Sequence, residues 1–278
     1  MKLLILNGFD RSGTSYIGGL LGQHPEVNYF FQPFSSTEVH KTQFEVWGEG
    51  YSAPDSERFL RSLQSGVVDS EFISSDWFDR YSSYSLDANR KVCLIKDTKL
   101  HAKIGWLKSA FPDATVYGIW RDPRAILHSL LRNEFHIKWY GEPALKKTVE
   151  MICAEPGLEC FMEYTERPLS PEAQMALIIA ARTRLMLLGL NHDEWLSYEH
   201  ITANPNSGLS DLCERLGMNE LDFSKLRERD YNVIGLPYQH KDLWRSELSK
   251  SVLSNVQPIF DSIQQHEVAC HAAVMSRV

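Results

Sequence analysis

The sequence contains few cysteines, and their positions exclude two common kinds of site. The 278 residues include five cysteines, and no two of them have the C-x-x-C spacing of a zinc or redox site. An odd number also argues against a disulfide framework. We therefore expect buried or inert thiols at these positions, which are Cys93, Cys153, Cys160, Cys213 and Cys270.

The sequence also lacks a long apolar run and an excess of positive charge. No run reaches the roughly 18–20 apolar residues that span a bilayer, and the opening MKLLIL is too short for a signal peptide because a polar turn follows it. We therefore expect a cytoplasmic protein with no membrane partner. The net charge of −7 disfavours a nucleic-acid partner, so any phosphate site must be a local patch.

Repeated strand–turn–helix units indicate the fold class. Residues 3–6 form a buried apolar run that ends at a polar, glycine-containing turn, and residues 12–21 follow with a helical stripe. Residues 92–95 and 115–120 are two further strand-like runs, and a helix from Pro123 to about Glu134 follows the second. These units predict an α/β protein, with a central, mostly parallel sheet flanked by helices in three layers.

The rest of the chain continues the pattern with less regularity. We predict helices over residues 171–190 and 207–216, a short strand over 195–198, and a helical segment over 243–268 that Pro258 interrupts. The length fits a single domain over residues 1–278. We predict that residues 30–90 and about 134–170 are insertions on the acceptor side. The aromatic-rich first insertion is either an irregular cap over the core or an acceptor pocket.

The turn between the first strand and helix has the chemistry of an anion site. It reads GFDRSGTS, and its glycines permit backbone angles that other residues resist. The helix then begins with small hydroxyl residues whose free N–H groups face one point, where the helix dipole favours an anion. Arg11 adds a forked positive group. The candidate ligands for a phosphate or sulfate are Arg11, Ser12, Gly13, Thr14 and Ser15.

The G-x-x-x-x-G spacing is that of a Walker A loop and predicts a P-loop-like fold, but the lysine of that motif is missing. Thr14 stands at the lysine position. Ordinary hydrolysis of ATP or GTP is therefore disfavoured, and the positive charge lies instead before the second glycine.

This segment resembles the phosphosulfate-binding loop of sulfotransferases that use 3′-phosphoadenosine 5′-phosphosulfate (PAPS). The family loop reads roughly (P)-(R/K)-S-G-T-(T/S), followed by a helix and H-P, and here His24-Pro25 takes the last position. The continuation NYFFQPF is similar to the carbohydrate and tyrosylprotein branch. The family's proline before the basic residue is replaced by Asp10. The resemblance implies a sulfotransferase that uses PAPS and releases 3′,5′-adenosine diphosphate (PAP).

A second segment, W-R-D-P-R-A followed by Ser129, strengthens the resemblance. Arg121 lies at a strand end, and Ser129 follows two turns into the next helix. Taken alone, this segment is also explained as a helix start with Arg124 paired to a carboxylate. The family's 3′-phosphate motif has the same Arg-to-Ser offset, so the resemblance implies that Arg121 and Ser129 hold that phosphate.

Two weaker matches follow. The segment S-Y-E-H-I resembles the family's Y-E-D-L, which places Tyr198 beside the adenine. A late segment, Q-H-K-D-L-W-R, resembles one that reaches back to the 3′-phosphate and implies a role for Lys241. For Lys241 and Arg245, an ordinary solvated surface position remains an equal interpretation.

The catalytic residues follow from the charge that builds up during transfer. Sulfonyl transfer resembles phosphoryl transfer, in which the protein positions the groups and neutralises charge. Arg11 and Lys96 are the candidate cations for this task. No metal is expected, since we find no carboxylate or histidine cluster at ligand spacing.

The residue that takes the proton of the acceptor is harder to identify from the sequence than the donor site. Related sequences carry a glutamate or a K-x-H histidine, but this chain has Gln32 at the first position, and Lys96 is followed by Asp97 and Thr98. A glutamine orients an acceptor but takes no proton. Another residue therefore serves, the acceptor is nitrogenous or already acidic, or the protein binds PAPS without turnover. The other candidate bases by position are Asp10, His40, Asp97 and His101.

Three functions are compatible with these residues. The first is sulfonyl transfer from PAPS to a hydroxyl or amine of a small-molecule or carbohydrate-like acceptor. The second is a P-loop kinase or related phosphotransferase, and the third is a non-catalytic PAPS- or PAP-binding protein. The expected partner is a small molecule, and a homodimer is left open.

Overall fold

The computed structural model describes residues 1–36, 54–67, 86–226 and 243–264. The strands are β1 (Lys2–Asn7), β2 (Val27–Phe31), β3 (Val92–Asp97), β4 (Thr115–Trp120) and β5 (Trp195–Ser197). The helices before β5 are α1 (Thr14–Gly22), α2 (Pro33–Ser36), α3 (Pro54–Gln64), α4 (Ile104–Ala110), α5 (Pro123–Arg132), α6 (Phe135–Lys138), α7 (Glu142–Ala154), α8 (Met162–Thr165) and α9 (Pro171–Gly189). After β5 come α10 (Tyr198–Ala203), α11 (Pro205–Leu216), α12 (Trp244–Glu247) and α13 (Lys250–Gln264). Short 3-10 helices span His101–Lys103, Glu159–Phe161 and Phe223–Lys225.

The described strands form one parallel sheet in the order β2–β3–β1–β4–β5. β1 is central and pairs with β3 from Lys2 to Asn7 and with β4 from Leu4 to Asn7. All six residues of β3 are buried, as expected for a strand covered on both faces. The predicted class, an α/β P-loop-like fold with a central parallel sheet, is confirmed.

Helices cover both faces of the sheet and give the predicted three layers. Leu4 and Leu6 of β1 pack with apolar side chains of α1 and α11. Leu3 and Ile5 point to the opposite face and pack with side chains of α3, α4 and α9. A further cluster, built from α5, α7, α9 and α13, encloses Phe9 at the end of β1.

The strand order places a crevice at the carboxyl ends of β1 and β4. The chain leaves β1 through α1 towards β2 at one edge, whereas it leaves β4 towards β5 at the other edge. Connections that diverge from neighbouring parallel strands open a crevice, and ligands of such sheets bind there. The two loops with the sequence motifs lie on either side of this point.

Two elements differ from the sequence predictions. β2 extends to Phe31, so the segment predicted as an insertion from residue 30 begins inside the sheet. The pattern hid this strand because it is a short aromatic run with no alternation. The remainder of that segment includes α2 and α3, and its residues 37–53 and 68–85 are outside the described residues. The assignments of acceptor-side insertions and a single domain remain predictions.

The second difference is at Pro258, where we predicted an interruption. Helix α13 continues through this proline. A proline inside a helix costs about 3 kcal/mol. Val256, Ile259 and Ile263 on the same helix are buried to 1 % exposure or less, and each fully buried aliphatic side chain contributes about 1.5–3 kcal/mol. Packing of this face therefore outweighs the local cost.

Candidate active site

The loop between β1 and α1 forms a tight turn at the carboxyl edge of the sheet. Arg11 and Gly13 have positive φ angles of 70° and 94°, and the Ser12 N–H donates to the Phe9 carbonyl at 3.0 Å. Because α1 begins at Thr14, the first amides of this helix face the turn. This geometry favours an anion, as the sequence predicts.

Two of the three hydroxyl residues of the loop are buried. Ser12 is fully buried, and its Oγ has no hydrogen-bond partner among the described residues. A Cβ at Gly8 would lie 2.6 Å from this oxygen, so the loop needs glycine there. Thr14 is buried, and Ser15 is partly exposed. A buried hydroxyl without a partner fits a site that is completed by a ligand.

The second loop joins β4 to α5. Asp122 caps α5 by accepting from the Arg124 N–H at 2.9 Å, and Pro123 follows at the first helical position. Asp122 also holds the Arg124 guanidinium, with distances of 2.9 Å from Nε and 2.8 Å from Nη2. The alternative interpretation of this segment is therefore correct for Arg124. Arg121 points elsewhere.

The two loops meet through Arg11. Its Nε donates to Ser129 Oγ at 3.1 Å, and its carbonyl oxygen accepts from Arg121 Nη1 at 2.6 Å. Arg121 Nε is buried without a hydrogen-bond partner among the described residues. The structure thus brings together three residues that the sequence assigned to two phosphates. Arg11, predicted at the transferred group, lies directly against the predicted 3′-phosphate serine.

Tyr198 closes the site from the start of α10. Its ring lies 4.5 Å from the Arg121 guanidinium and packs on Gly13, where a Cβ would be only 2.1 Å from Tyr198 Cδ2. Glu199 accepts from the Asp122 N–H at 3.2 Å, and burial raises the pKa of this carboxyl. The residue predicted beside the adenine therefore contacts the loop after β1 and the loop after β4.

Lys96 and Asp97, at the end of β3, have different surroundings. Lys96 is 2 % exposed, and its Nζ lies 4.4 Å from the centre of the Phe31 ring. Burial lowers the pKa of Lys96 to about 8, although Asp10 and Asp97 partly oppose this effect. Asp97 is fully buried.

The Asp97 carboxylate is occupied by the backbone. It accepts from the N–H groups of Phe34 at 3.0 Å, Thr98 at 2.7 Å and Lys99 at 3.0 Å. These bonds fix the turns that follow β2 and β3. A carboxylate that already accepts three hydrogen bonds has little capacity left for an acceptor proton.

Gln32 and His101 also lie near these strand ends. Gln32 has a φ of 49°, and its Nε2 donates to Thr98 Oγ1 at 3.0 Å. His101 is 3 % exposed, and its Nε2 has no partner among the described residues. Burial, together with the charges of Arg182 and Lys99, keeps the pKa of His101 well below its usual range. The ring is therefore neutral at pH 7.

Four functional neighbours were missed by the sequence analysis. Tyr140 donates its hydroxyl to Asp10 Oδ2, and Lys99 Nζ lies 3.8 Å from the same oxygen. The Thr98 side chain also helps to lower the pKa of Asp10. Arg182 of α9 lies 5.7 Å from the centre of the Tyr140 ring. The one available signal was a charged residue, Arg182, in the apolar stripe of a predicted helix.

Three residues named in the sequence analysis are not part of the contacts described above. Lys241 and His40 are outside the described residues. Arg245 is an exposed residue of α12, and its guanidinium lies 4.7 Å from the centre of the Trp244 ring. No group of three or more possible metal ligands occurs in the part of the chain that the structure describes. None of the helices described there is both long and apolar enough to cross a membrane.

The fold and the site together define an α/β protein of the P-loop-like class in which Arg11, Arg121 and Ser129 meet between the loops after β1 and β4. A family model described as the sulfotransferase family matches residues 4–222, and the chain belongs to this family. The resemblance inferred from the two loop motifs is thereby confirmed.

Individual relatives are distant. The nodulation protein NoeE of Sinorhizobium fredii is 22% identical over 241 residues, which cover 82% of this chain and 54% of NoeE. This chain thus spans about half the length of that curated relative. A sulfotransferase structure from Alicyclobacillus acidocaldarius is 17% identical with a TM-score of 0.43, and covers 98% of this chain and 99% of its own. The sulfotransferase domain of the Synechococcus PCC 7002 olefin synthase is 15% identical with a TM-score of 0.49, over 94% and 92%.

Proposed function

We propose that this protein is an enzyme that transfers the sulfonyl group of PAPS to a hydroxyl or amine of a small-molecule or carbohydrate-like acceptor. Membership of the sulfotransferase family supports the reaction class. The observation that carries the choice of donor is the junction of the two loops, in which Arg11 contacts both Ser129 and Arg121. Two phosphate-bearing ends of one nucleotide require two such cationic sites side by side.

The residues present fit a doubly phosphorylated nucleotide. Ser12 Oγ and Arg121 Nε are buried polar atoms without partners among the described residues, and each is a donor suited to a phosphate oxygen. Tyr198 offers an aromatic face beside Gly13. In the proposed complex, Ser12 and the start of α1 hold the 5′ end, Arg121 and Ser129 hold the 3′-phosphate, and Tyr198 packs on the base.

The chain's cations then account for charge stabilisation during transfer. Arg11 lies in the loop after β1 and Lys96 lies at the end of β3, and their positive charges act on each other. When charge moves to the leaving phosphate, these two groups neutralise it without any rearrangement of solvent. A guanidinium also binds two oxygens at once, which holds the transferred group in line with the acceptor.

Nucleotide binding is tested by thermal unfolding with PAP in the absence of Mg²⁺. We expect PAP to raise the melting temperature, and Arg121→Ala to weaken binding by about 10- to 100-fold because it removes charge-assisted hydrogen bonds. Arg215→Ala is the matched control, since this arginine pairs with Asp193 on the surface. Stabilisation by ATP with Mg²⁺ and not by PAP would sink the proposal.

Turnover is tested separately with radiolabelled PAPS and a panel of alcohols, phenols and amines. Label is expected in at least one acceptor class with the wild-type protein, and none with Arg11→Ala. Tight PAP binding without transfer to any acceptor would favour a non-catalytic PAP-binding protein instead.

A further inference from the structure

Asp10 is the centre of a hydrogen-bond network that joins three parts of the chain. The Tyr140 hydroxyl donates to its Oδ2, and Lys99 Nζ lies 3.8 Å from the same oxygen. The Thr98 side chain, which follows β3, also helps to lower the pKa of this carboxylate. Asp10 therefore has a fixed position immediately before Arg11.

Asp10 is also partly exposed, unlike Asp97 and His101. Its side chain is 20% exposed, whereas Asp97 is fully buried and His101 is 3 % exposed. The Asp97 oxygens are occupied by backbone N–H groups. Among these three, only Asp10 combines a carboxylate with access for an acceptor.

The charges around Asp10 keep it ionised. Burial by itself raises the pKa of Asp10, but Lys99, Tyr140, Lys96 and Thr98 outweigh this and lower it below the ordinary value. Asp10 is therefore a carboxylate at neutral pH, which is the form that accepts a proton. Asp10 attracts the positive charge of Lys96, which in turn is repelled by Arg11 at the predicted point of transfer.

Gln32 contributes to this arrangement through Thr98. Its Nε2 donates to Thr98 Oγ1 at 3.0 Å, so the Thr98 hydroxyl proton remains available to the Asp10 side of this residue. An amide holds this orientation at any pH, since it does not titrate. The glutamine at the position where related sequences carry a glutamate thus becomes a positioning residue for an acid elsewhere.

We propose that Asp10 is the catalytic base, that Tyr140, Thr98 and Gln32 position it, and that the acceptor is a neutral hydroxyl compound. This inference rests on the proposed sulfonyl transfer from PAPS. During the reaction, the acceptor oxygen forms a bond to sulfur as the bond between sulfur and the bridging oxygen of PAPS breaks. The acceptor proton moves to Asp10, and PAP leaves with the bridging oxygen and its electron pair. Asp10 then releases the proton to water.

The test compares acceptors that differ in acidity. Transfer from PAPS to an aliphatic alcohol, to phenol and to 4-nitrophenol is measured for the wild-type protein and Asp10→Asn. An alcohol requires a base far more than an acidic phenol does. We expect a loss of at least about 100-fold in kcat for the alcohol, within the usual range for general base catalysis, a clearly smaller loss for 4-nitrophenol, and an unchanged Kd for PAP. Asp193→Asn, a surface carboxylate paired with Arg215, is the control.

Equal losses for all three acceptors, or a loss of PAP binding in Asp10→Asn, would show that Asp10 only maintains the loop. A wild-type protein that binds PAP but sulfates none of these hydroxyl compounds also overturns the inference and leaves the donor site intact. Failure to bind PAP at all contradicts the proposed function instead.

Tyr140→Phe provides a second measurement that does not depend on the folding of an Asp10 variant. Removing this donor raises the pKa of Asp10, so the acid limb of kcat/KM for the alcohol should move to higher pH. The groups that set this limb are Lys99, Lys96 and Tyr140, together with His101, whose charge interaction with Asp10 is weak because its ring is neutral. An unchanged acid limb in Tyr140→Phe would contradict the assignment.

Discussion

Gly13 is the residue at which backbone shape and ligand binding depend most directly on each other. Its φ of 94° lies in the left-handed region, and a Cβ would overlap the Tyr198 ring at 2.1 Å. The conformation alone costs another residue about 1–2 kcal/mol. We predict that Gly13→Ala weakens PAP binding by at least about tenfold, as measured by calorimetry.

Gly105→Ala is the matched control for this substitution. Gly105 lies in α4, and a Cβ there meets no atom within 4 Å. An alanine favours a helix by about 1 kcal/mol over glycine, so this variant should melt slightly higher and bind PAP normally. Normal PAP binding in Gly13→Ala would show that the loop adapts, and that the Tyr198 ring does not help to form the site.

Because of Lys96, the affinity for PAP should fall as the pH becomes alkaline. Burial lowers its pKa to about 8 in the free protein, and a bound polyanion favours the ammonium form and raises that pKa. Binding therefore takes up a proton above pH 8, and the Kd for PAP should rise with pH, approaching tenfold per unit. Arginines do not titrate in this range.

Calorimetric titrations of PAP between pH 7 and pH 10 measure this dependence. In Lys96→Met the Kd for PAP should be higher than in the wild type at pH 7, but it should not increase further as the pH rises. The same alkaline rise in both proteins would assign the proton to another group.

At the scale of elements, α12 packs against α5 through Trp244 and Glu247. Trp244 is 5 % exposed and lies 4.3 Å from the Arg124 guanidinium. Glu247 Oε2 lies 2.8 Å from His128 Nε2 on α5. Lys241 itself is outside the described residues, three positions before this anchor.

The anchor leads to a prediction for Lys241. Lys241→Ala should weaken PAP binding by about tenfold and reduce its dependence on salt, since it removes a contact to a phosphate. Lys250→Ala, an exposed lysine at the start of α13, should change neither. Equal salt dependence in wild type and Lys241→Ala would show that Lys241 is an ordinary surface residue.

Strands and helices whose ends are set by local sequence signals were predictable from the sequence. β4 coincides with the predicted residues 115–120, and α9 ends one residue before the predicted end. Both have apolar runs with clear ends, which are set by local chemistry. β2 and α13 depend on tertiary packing, because β2 is defined by pairing with β3 and α13 by the buried face that outweighs Pro258. Local patterns do not contain this information.

At the scale of the whole molecule, the site also has one part that local sequence motifs predicted and another part that depends on tertiary packing. Arg11, Arg121, Ser129 and Tyr198 lie in motifs whose spacing already indicated a shared ligand, and the structure brings them together. Tyr140 reaches Asp10 across 130 positions of sequence, with no motif around it. Contacts of this kind depend on how loops pack over the sheet, so the network around Asp10 could not be predicted.

Burial of Lys96 also lowers the free energy of unfolding of the whole molecule. A pKa lowered from 10.5 to about 8 corresponds to roughly 3 kcal/mol of lost stability while both folded and unfolded chains are protonated. The folded protein loses this proton first, so the cost is complete below pH 8 and disappears between pH 8 and about 10.5. Wild-type stability should therefore gain from Lys96 deprotonation as the pH rises through that window.

Lys96→Met tests this cost, since methionine has a similar length and no charge. At pH 7 the free variant should melt several degrees higher than the wild type, and at pH 10 the difference should be much smaller. PAP should stabilise the wild type more than the variant, because the ammonium that is costly in the free protein binds the nucleotide. Melting curves at both pH values, with and without PAP, give all four comparisons. A variant that melts lower than the wild type at pH 7 would show that Lys96 stabilises the fold, and that its burial does not reflect a demand of the site.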